Sequence, residues 1–192
     1  MSDADLLLYH DFASPYCRLA LELARRAADE AGLPLRLVPF QLRPAPAPLP
    51  SVDEPAFRAE LESALPLAAA WGIELRPPPS VPRTGKAHEA VRHAATEGRS
   101  IEMAAAIYHA LWADGRDISR VDTLVETAAA VGIEGQALHV ALGLDTHREA
   151  VERAEADAET RGVTGVPTLG LGARVATGLL PPDELRAWIE AR

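Results

Sequence analysis

A single cysteine, Cys17, stands in a chain of 192 residues, so no intramolecular disulfide can form. Nothing else in the sequence marks an oxidising compartment. Aromatic residues make up only 5% of the chain while hydrophobic residues reach 48%, a balance resting on alanine and leucine that suits a helix-rich protein better than a β-sandwich. Basic runs are missing too. With 19 Lys and Arg against 28 Asp and Glu, the formal charge is -9, and no cationic stripe exists to neutralise phosphates, which argues against nucleic acid and anionic membrane as partners. No apolar run is long enough to span a bilayer. Met1-Ser2-Asp3-Ala4-Asp5 is acidic where a secretory signal would be basic, and it leads into only a short apolar run. The expected location is the cytoplasm.

What is present has a readable order. Leu6-Leu7-Leu8-Tyr9 is a short, continuously apolar run between Asp5 and His10-Asp11, the signature of a buried strand. Ser14-Pro15 follows, with serine suited to an N-cap and proline to the first helical position. Leu19, Leu23 and Ala27 then recur at helical spacing until Gly32 and Pro34. Leu35 to Phe40 predicts a second strand, with Pro39 pointing to an edge or a bulge. Strand, helix, strand implies a βαβ unit with parallel strands, and ligands of such units gather beyond the carboxyl ends of the strands, where Ser14 to Cys17 would lie.

Arg43 to Pro50 contains four prolines and reads as an extended connection. From Phe57 to about Gly162 the pattern is helical almost throughout, with Ile101, Ala104, Ala105, Tyr108, Leu111 and Trp112 on one face of one helix. Pro77 to Pro82 separates the first of these helices from the rest, Gly115 and Gly132 predict helix stops, and Ser119 with Asp122 predicts a capping box. Strand character returns at Thr168 to Leu171 and Arg174 to Thr177, joined by Gly172-Ala173 as in a tight hairpin, before Pro181-Pro182 opens a last helix.

Three motifs carry the chemistry. Asp11-Phe12 precedes Ser14-Pro15-Tyr16-Cys17, Ala87-His88 lies in the helical region, and Gly165-Val166-Pro167-Thr168 precedes the hairpin. Read alone, Ser14-Pro15 is a helix cap, Cys17 a packed apolar residue and Pro167 the start of an edge strand. His88, Arg92 and His93 read as surface or interface residues on one helix, with a cleft contact as the alternative. His10-Asp11 either tunes a proton or forms a satisfied buried pair. The six histidines show no recognised zinc spacing, so no metal site is expected.

Together these motifs and the order of elements resemble the DsbA-like branch of the thioredoxin superfamily, with the cytoplasmic FrnE-like proteins as the nearest group. The segment Asp114-Gly115-Arg116-Asp117-Ile118-Ser119 also resembles that group. The resemblance implies an α/β, thioredoxin-like fold of the DsbA type with a large all-helical insertion. It places the core in residues 1–50 and 150–192 and the insertion in 51–149.

In dithiol relatives a cysteine occupies the place of Ser14, and attack by it followed by resolution by its partner drives exchange. Here that cysteine is lost, so the ordinary cycle is closed. Ser-Pro-Tyr-Ser and Ser-Pro-Phe-Ser motifs at the same corner of kappa-class glutathione transferases and 2-hydroxychromene-2-carboxylate isomerases imply instead that Ser14 hydrogen-bonds a cofactor thiolate. The resemblance also implies a cis Val166–Pro167 bond that leaves the Val166 backbone free to pair with an extended thiol substrate.

The expected site residues are therefore Ser14 and Cys17 as catalytic, with Pro15, Tyr16, Val166, Pro167 and His88 binding substrate or thiol. The expected cofactor is a low-molecular-weight thiol. Glutathione fits less well, because Thr177 to Glu184 stands where those enzymes carry an Asp-Arg stretch for the γ-glutamyl end. The leading expectation is redox or thiol transfer resolved by an external thiol, with a Ser14-dependent isomerase or transferase as the alternative and binding without catalysis as the third. The partner is a small thiol or thiol-bearing peptide, and the helical insertion offers a homodimer surface.

Overall fold

The computed structural model describes residues 5–191. The acidic start at Met1 to Ala4 lies outside the described residues. Strand β1 (Leu6–His10) is buried along its whole length at the middle of a four-stranded sheet ordered β2-β1-β3-β4. It pairs in parallel with β2 (Leu35–Pro39) and antiparallel with β3 (Thr168–Leu171), which pairs antiparallel with β4 (Arg174–Thr177). The alternation of strand side chains divides β1 between two layers. Leu6 and Leu8 enter the main core beside α1 (Pro15–Ala31) and α8 (Pro182–Glu190), while Leu7 and Tyr9 pack with Ala158 and Val163 at the end of α7 (Arg148–Thr160).

Helix α1 begins and ends as its sequence dictates. Ser14 is the N-cap, Pro15 opens the first turn, and Gly32 closes the helix at φ +65°, a conformation in which a side chain would be strained. The hairpin turns at Gly172-Ala173, and α8 starts at Pro182.

Between β2 and α7 lie α2 (Pro55–Ala70), α3 (Gly85–Ala95), α4 (Ser100–Trp112), α5 (Val121–Ala130) and α6 (Gly135–Gly143). They do not form a separate core. One apolar cluster runs from Leu6 and Phe12 through Phe57, Ala87, Met103 and Trp112 to Leu138, so the helices and one sheet face bury a shared interior. The capping box expected at Ser119 and Asp122 is not formed. Arg120 is the N-cap of α5, without a side-chain bond, because Ser119 gives both its amide (2.9 Å) and its hydroxyl (2.6 Å) to the nearer carboxylate of Asp117. Among the described residues no helix is long and apolar enough to cross a membrane.

Candidate active site

The carboxyl end of β1 and the start of β3 face each other, since Tyr9 is paired with Thr168. The segments Asp11 to Ser14 and Gly165 to Pro167 therefore leave the sheet at the same end. The Val166–Pro167 peptide is cis, as is Ala45–Pro46. Among the described residues neither the N–H nor the C=O of Val166 has a hydrogen-bond partner, whereas the Pro167 carbonyl accepts from Gly178 N at 2.8 Å.

The turn from β1 into α1 is held from several sides. The Asp11 carboxylate accepts from Leu42 N at 2.6 Å, and the Asp11 carbonyl accepts from Ser14 N at 3.3 Å and from the Tyr108 hydroxyl at 3.1 Å. The Phe12 carbonyl accepts from Trp112 Nε1 at 2.9 Å. Tyr108 and Trp112, marked by spacing alone as an apolar face of α4, thus also orient the backbone that presents Ser14. His10 Nδ1 lies 3.0 Å from the same Tyr108 oxygen. Since the Asp11 carbonyl can only accept, the Tyr108 proton goes there and His10 Nδ1 is the donor to the Tyr108 oxygen. Burial, then His88, push the His10 pKa well below its ordinary 6.5, against the pull of Asp11.

His88 is not a surface residue. It is 2% exposed, because α3 turns that face onto Phe12 and His10, and its Nε2 stands 3.6 Å from Asp11 Oδ1 behind the motif. Burial alone would raise the Asp11 carboxyl. The interaction with His88, the Leu42 amide and Thr84 outweigh it and hold Asp11 below the usual carboxylate range. Arg92 and His93 lie one turn further along α3, and the His93 ring meets His147 at 3.3 Å.

Ser14 and Cys17 are both buried, Ser14 at 1% exposure, and they differ in their hydrogen bonds. Cys17 is 0% exposed, and burial pushes its thiol far above the ordinary range, beyond what the Asp11 backbone and Ser14 recover. It is poorly placed as a nucleophile. The Ser14 hydroxyl accepts from Cys17 N at 3.4 Å and donates to Glu60 Oε1, on α2, at 3.1 Å. Pro15 contributes no amide, and the Tyr16 N–H has no partner among the described residues, leaving one open donor beside the hydroxyl. Tyr16 and Val166 are half-buried at the edge of the core, as are Leu179 and Leu180 after the hairpin. The corner presents a hydroxyl, an amide, a free backbone edge and an apolar border.

Sequence reasoning missed Glu60. It lies 46 positions from Ser14 in an acidic stretch with nothing to separate it from Glu54 or Glu62, and only the packing of Phe57, Leu61, Ala64 and Ala68 aims it at α1. A cleft of about 750 Å³ opens elsewhere, between β2, α3 and α7. It shares His10 and His88 with the back of the motif but contains neither Ser14 nor Val166. This cleft and the motif corner therefore lie in different places. The geometry is the better guide, because the chemistry needs donors aimed at one reacting atom.

The chain matches the DSBA-like thioredoxin domain over residues 5–190. It belongs to that family. Its fold is shared by a probable DsbA oxidoreductase from Streptomyces coelicolor, with a TM-score of 0.85 at 22% identity over 97% of this chain and 88% of the other. A 2-hydroxychromene-2-carboxylate isomerase is similar at a TM-score of 0.80 and 21% identity, covering 97% and 93%. The cytosolic disulfide reductase DsbM from Pseudomonas aeruginosa, solved with GSH, is similar at a TM-score of 0.75 and 24% identity, covering 97% and 98%. Proteins of this fold thus include a probable oxidoreductase, a disulfide reductase and an isomerase, and at these identities the likeness is one of fold.

Proposed function

We propose that this DSBA-like domain is a thiol-dependent isomerase or transferase in which Ser14 holds the sulfur of a small thiol or thiol-bearing peptide. The observation that carries the reading is the hydrogen bonding of the two motif residues. Both side chains are buried, but burial raises the pKa of the Cys17 thiol, while the Ser14 hydroxyl caps the start of α1, accepting from Cys17 N and donating to Glu60 beside the unpaired Tyr16 N–H. Such a hydroxyl, with the partial positive charge of the helix start, favours a thiolate over a thiol. The unpaired Val166 backbone offers a donor and an acceptor to an extended ligand, and Tyr16, Leu179 and Leu180 border it with apolar surface. The bound thiol supplies a nucleophile that adds to an electrophilic substrate carbon; in an isomerisation it leaves again with its electron pair, so no net oxidation occurs. Ser14 orients the sulfur in both steps.

A second reading, disulfide exchange, is favoured by the likeness to the reductase solved with GSH. There the Cys17 thiolate would attack a substrate disulfide, release one thiol and form a mixed disulfide for an external thiol to resolve. It requires Cys17 to reach the surface. The cytoplasmic location and the finer kinship with FrnE-like proteins, resting on Ala87-His88 and Asp114 to Ser119, are part of the same proposal.

The test is a titration with glutathione and with N-acetylcysteine, read by calorimetry and by thiolate ultraviolet absorbance. Ser14→Ala is expected to weaken thiolate formation about 10- to 100-fold, the value of a hydrogen bond to a charged atom, while Cys17→Ser leaves it intact. Loss in Cys17→Ser with Ser14→Ala unaffected would install the exchange reading instead.

A further inference from the structure

We infer that Glu60 is the terminal proton acceptor of the site, taking through Ser14 the proton that a bound thiol gives up. The inference rests on the thiol reading above and adds to it the residue that receives the proton. Among the described residues Glu60 enters no ion pair, and its one hydrogen bond is the 3.1 Å contact from the Ser14 hydroxyl. Its neighbours one turn apart on α2, Arg58 and Glu62, pair with each other at 3.7 Å instead. On α1 the titratable group that feels its charge is the buried Cys17. The segments 164–167 and 178–181 carry no titratable side chain.

The hydroxyl therefore has one acceptor for its proton and, with one lone pair taken by Cys17 N–H, a second lone pair free to accept from a thiol that reaches it. A thiol S–H donated to Ser14 Oγ lets the original Ser14 proton pass to Glu60. The S–H bond breaks, a carboxyl O–H forms, and Ser14 ends as a hydroxyl free to donate to the thiolate. Proton count and charge balance within the site, with no exchange with solvent. Partial burial raises the Glu60 carboxyl above its ordinary value, against the opposing Ser14 hydrogen bond, which makes it a better acceptor.

One proton shared between a carboxylate and a thiol gives a signature that a structural role would not. Across the pH range in which the pair holds one proton, the thiolate fraction is flat. N-acetylcysteine binding to the wild-type chain should then show thiolate absorbance that barely changes around neutral pH. Calorimetry in buffers of different ionisation enthalpy should show no net proton release.

Glu60→Gln keeps an acceptor for the Ser14 hydroxyl but not a base. In that variant thiolate should rise with pH as a single-proton titration, and binding should release that proton to the buffer. Identical pH profiles and proton counts in wild type and Glu60→Gln would overturn the role of Glu60 and leave the Ser14 reading standing. Absence of any bound thiolate in the wild type would overturn the thiol reading, and this inference with it.

Discussion

Removing one buried oxygen tests whether α4 holds the turn that presents Ser14. In Tyr108→Phe the ring keeps its place against Phe12, whose centroid is 4.7 Å away, so almost no cavity is created. The hydroxyl, however, serves both Asp11 O and His10 Nδ1. Asp11 O keeps a second donor, Ser14 N at 3.3 Å, so its loss is one ordinary hydrogen bond, about 1 kcal/mol. His10 Nδ1–H is 1% exposed as a residue and has no other partner among the described residues, which adds about 1–2 kcal/mol for a stranded donor. The expected cost is about 2–3 kcal/mol, read as a shift in the urea midpoint at unchanged slope. Tyr16→Phe is the control. Its ring is half-buried, its hydroxyl has no partner among the described residues, and it should change stability by less than about 0.5 kcal/mol. A Tyr108→Phe cost within that margin would mean that the Tyr108 hydroxyl is not what fixes the turn.

Cys17 in the native chain should resist alkylation from neutral to mildly alkaline pH and react readily once urea unfolds the protein; rapid native labelling would refute its burial. Stability should decline as pH falls below about 6.5, because the unfolded chain protonates His10 there while burial keeps it neutral in the fold. The slope for one proton is at most about 1.4 kcal/mol per pH unit, and His10→Asn should remove it; an unchanged slope in that variant would assign the acid sensitivity to another group. Asp11, held below 3.8, should add its own loss only at lower pH, as pH falls through its folded value. Gly170→Ala should destabilise by about 1–3 kcal/mol, since a Cβ there would meet Tyr9 Cε2 at 3.3 Å and Leu7 Cβ at 3.4 Å, and an unchanged melting temperature would show that β1 can give way.

How far the sequence disclosed this depended on the range of the interactions. Ser14-Pro15, Gly32, Gly172-Ala173 and Pro182 act through neighbours a few residues away, and each stands where its local chemistry put it. The capping box at Ser119 failed by the same local logic, because Asp117 is a nearer acceptor than the helix start is a donor. Spacing identified the face of α4 but treated Tyr108 and Trp112 as apolar bodies, when their polar tips reach back 97 and 100 residues to the motif. His88 looked exposed because a helix with Arg92 and His93 reads as solvated, and nothing local says that α3 turns its other face onto Asp11. Contacts of that length are properties of the packed fold.

The same distinction bears on what Ser14 does at the start of α1. As a cap, Ser14 is complete with Cys17 N alone, and a helix start asks for no more. The cap does not need Glu60. A carboxylate near a protein surface gains most by turning into water or pairing with a cation, yet this one keeps its single hydrogen bond to Ser14 and has its ionised form disfavoured by partial burial. A polar group that bears such a cost without stabilising a helix, strand or ion pair marks a place where local optimisation gave way to chemistry. On the reading proposed above, the pairing of Ser14 with Glu60 would divide the acid–base work at this corner between a hydroxyl that holds the sulfur and a carboxylate behind it that takes the proton.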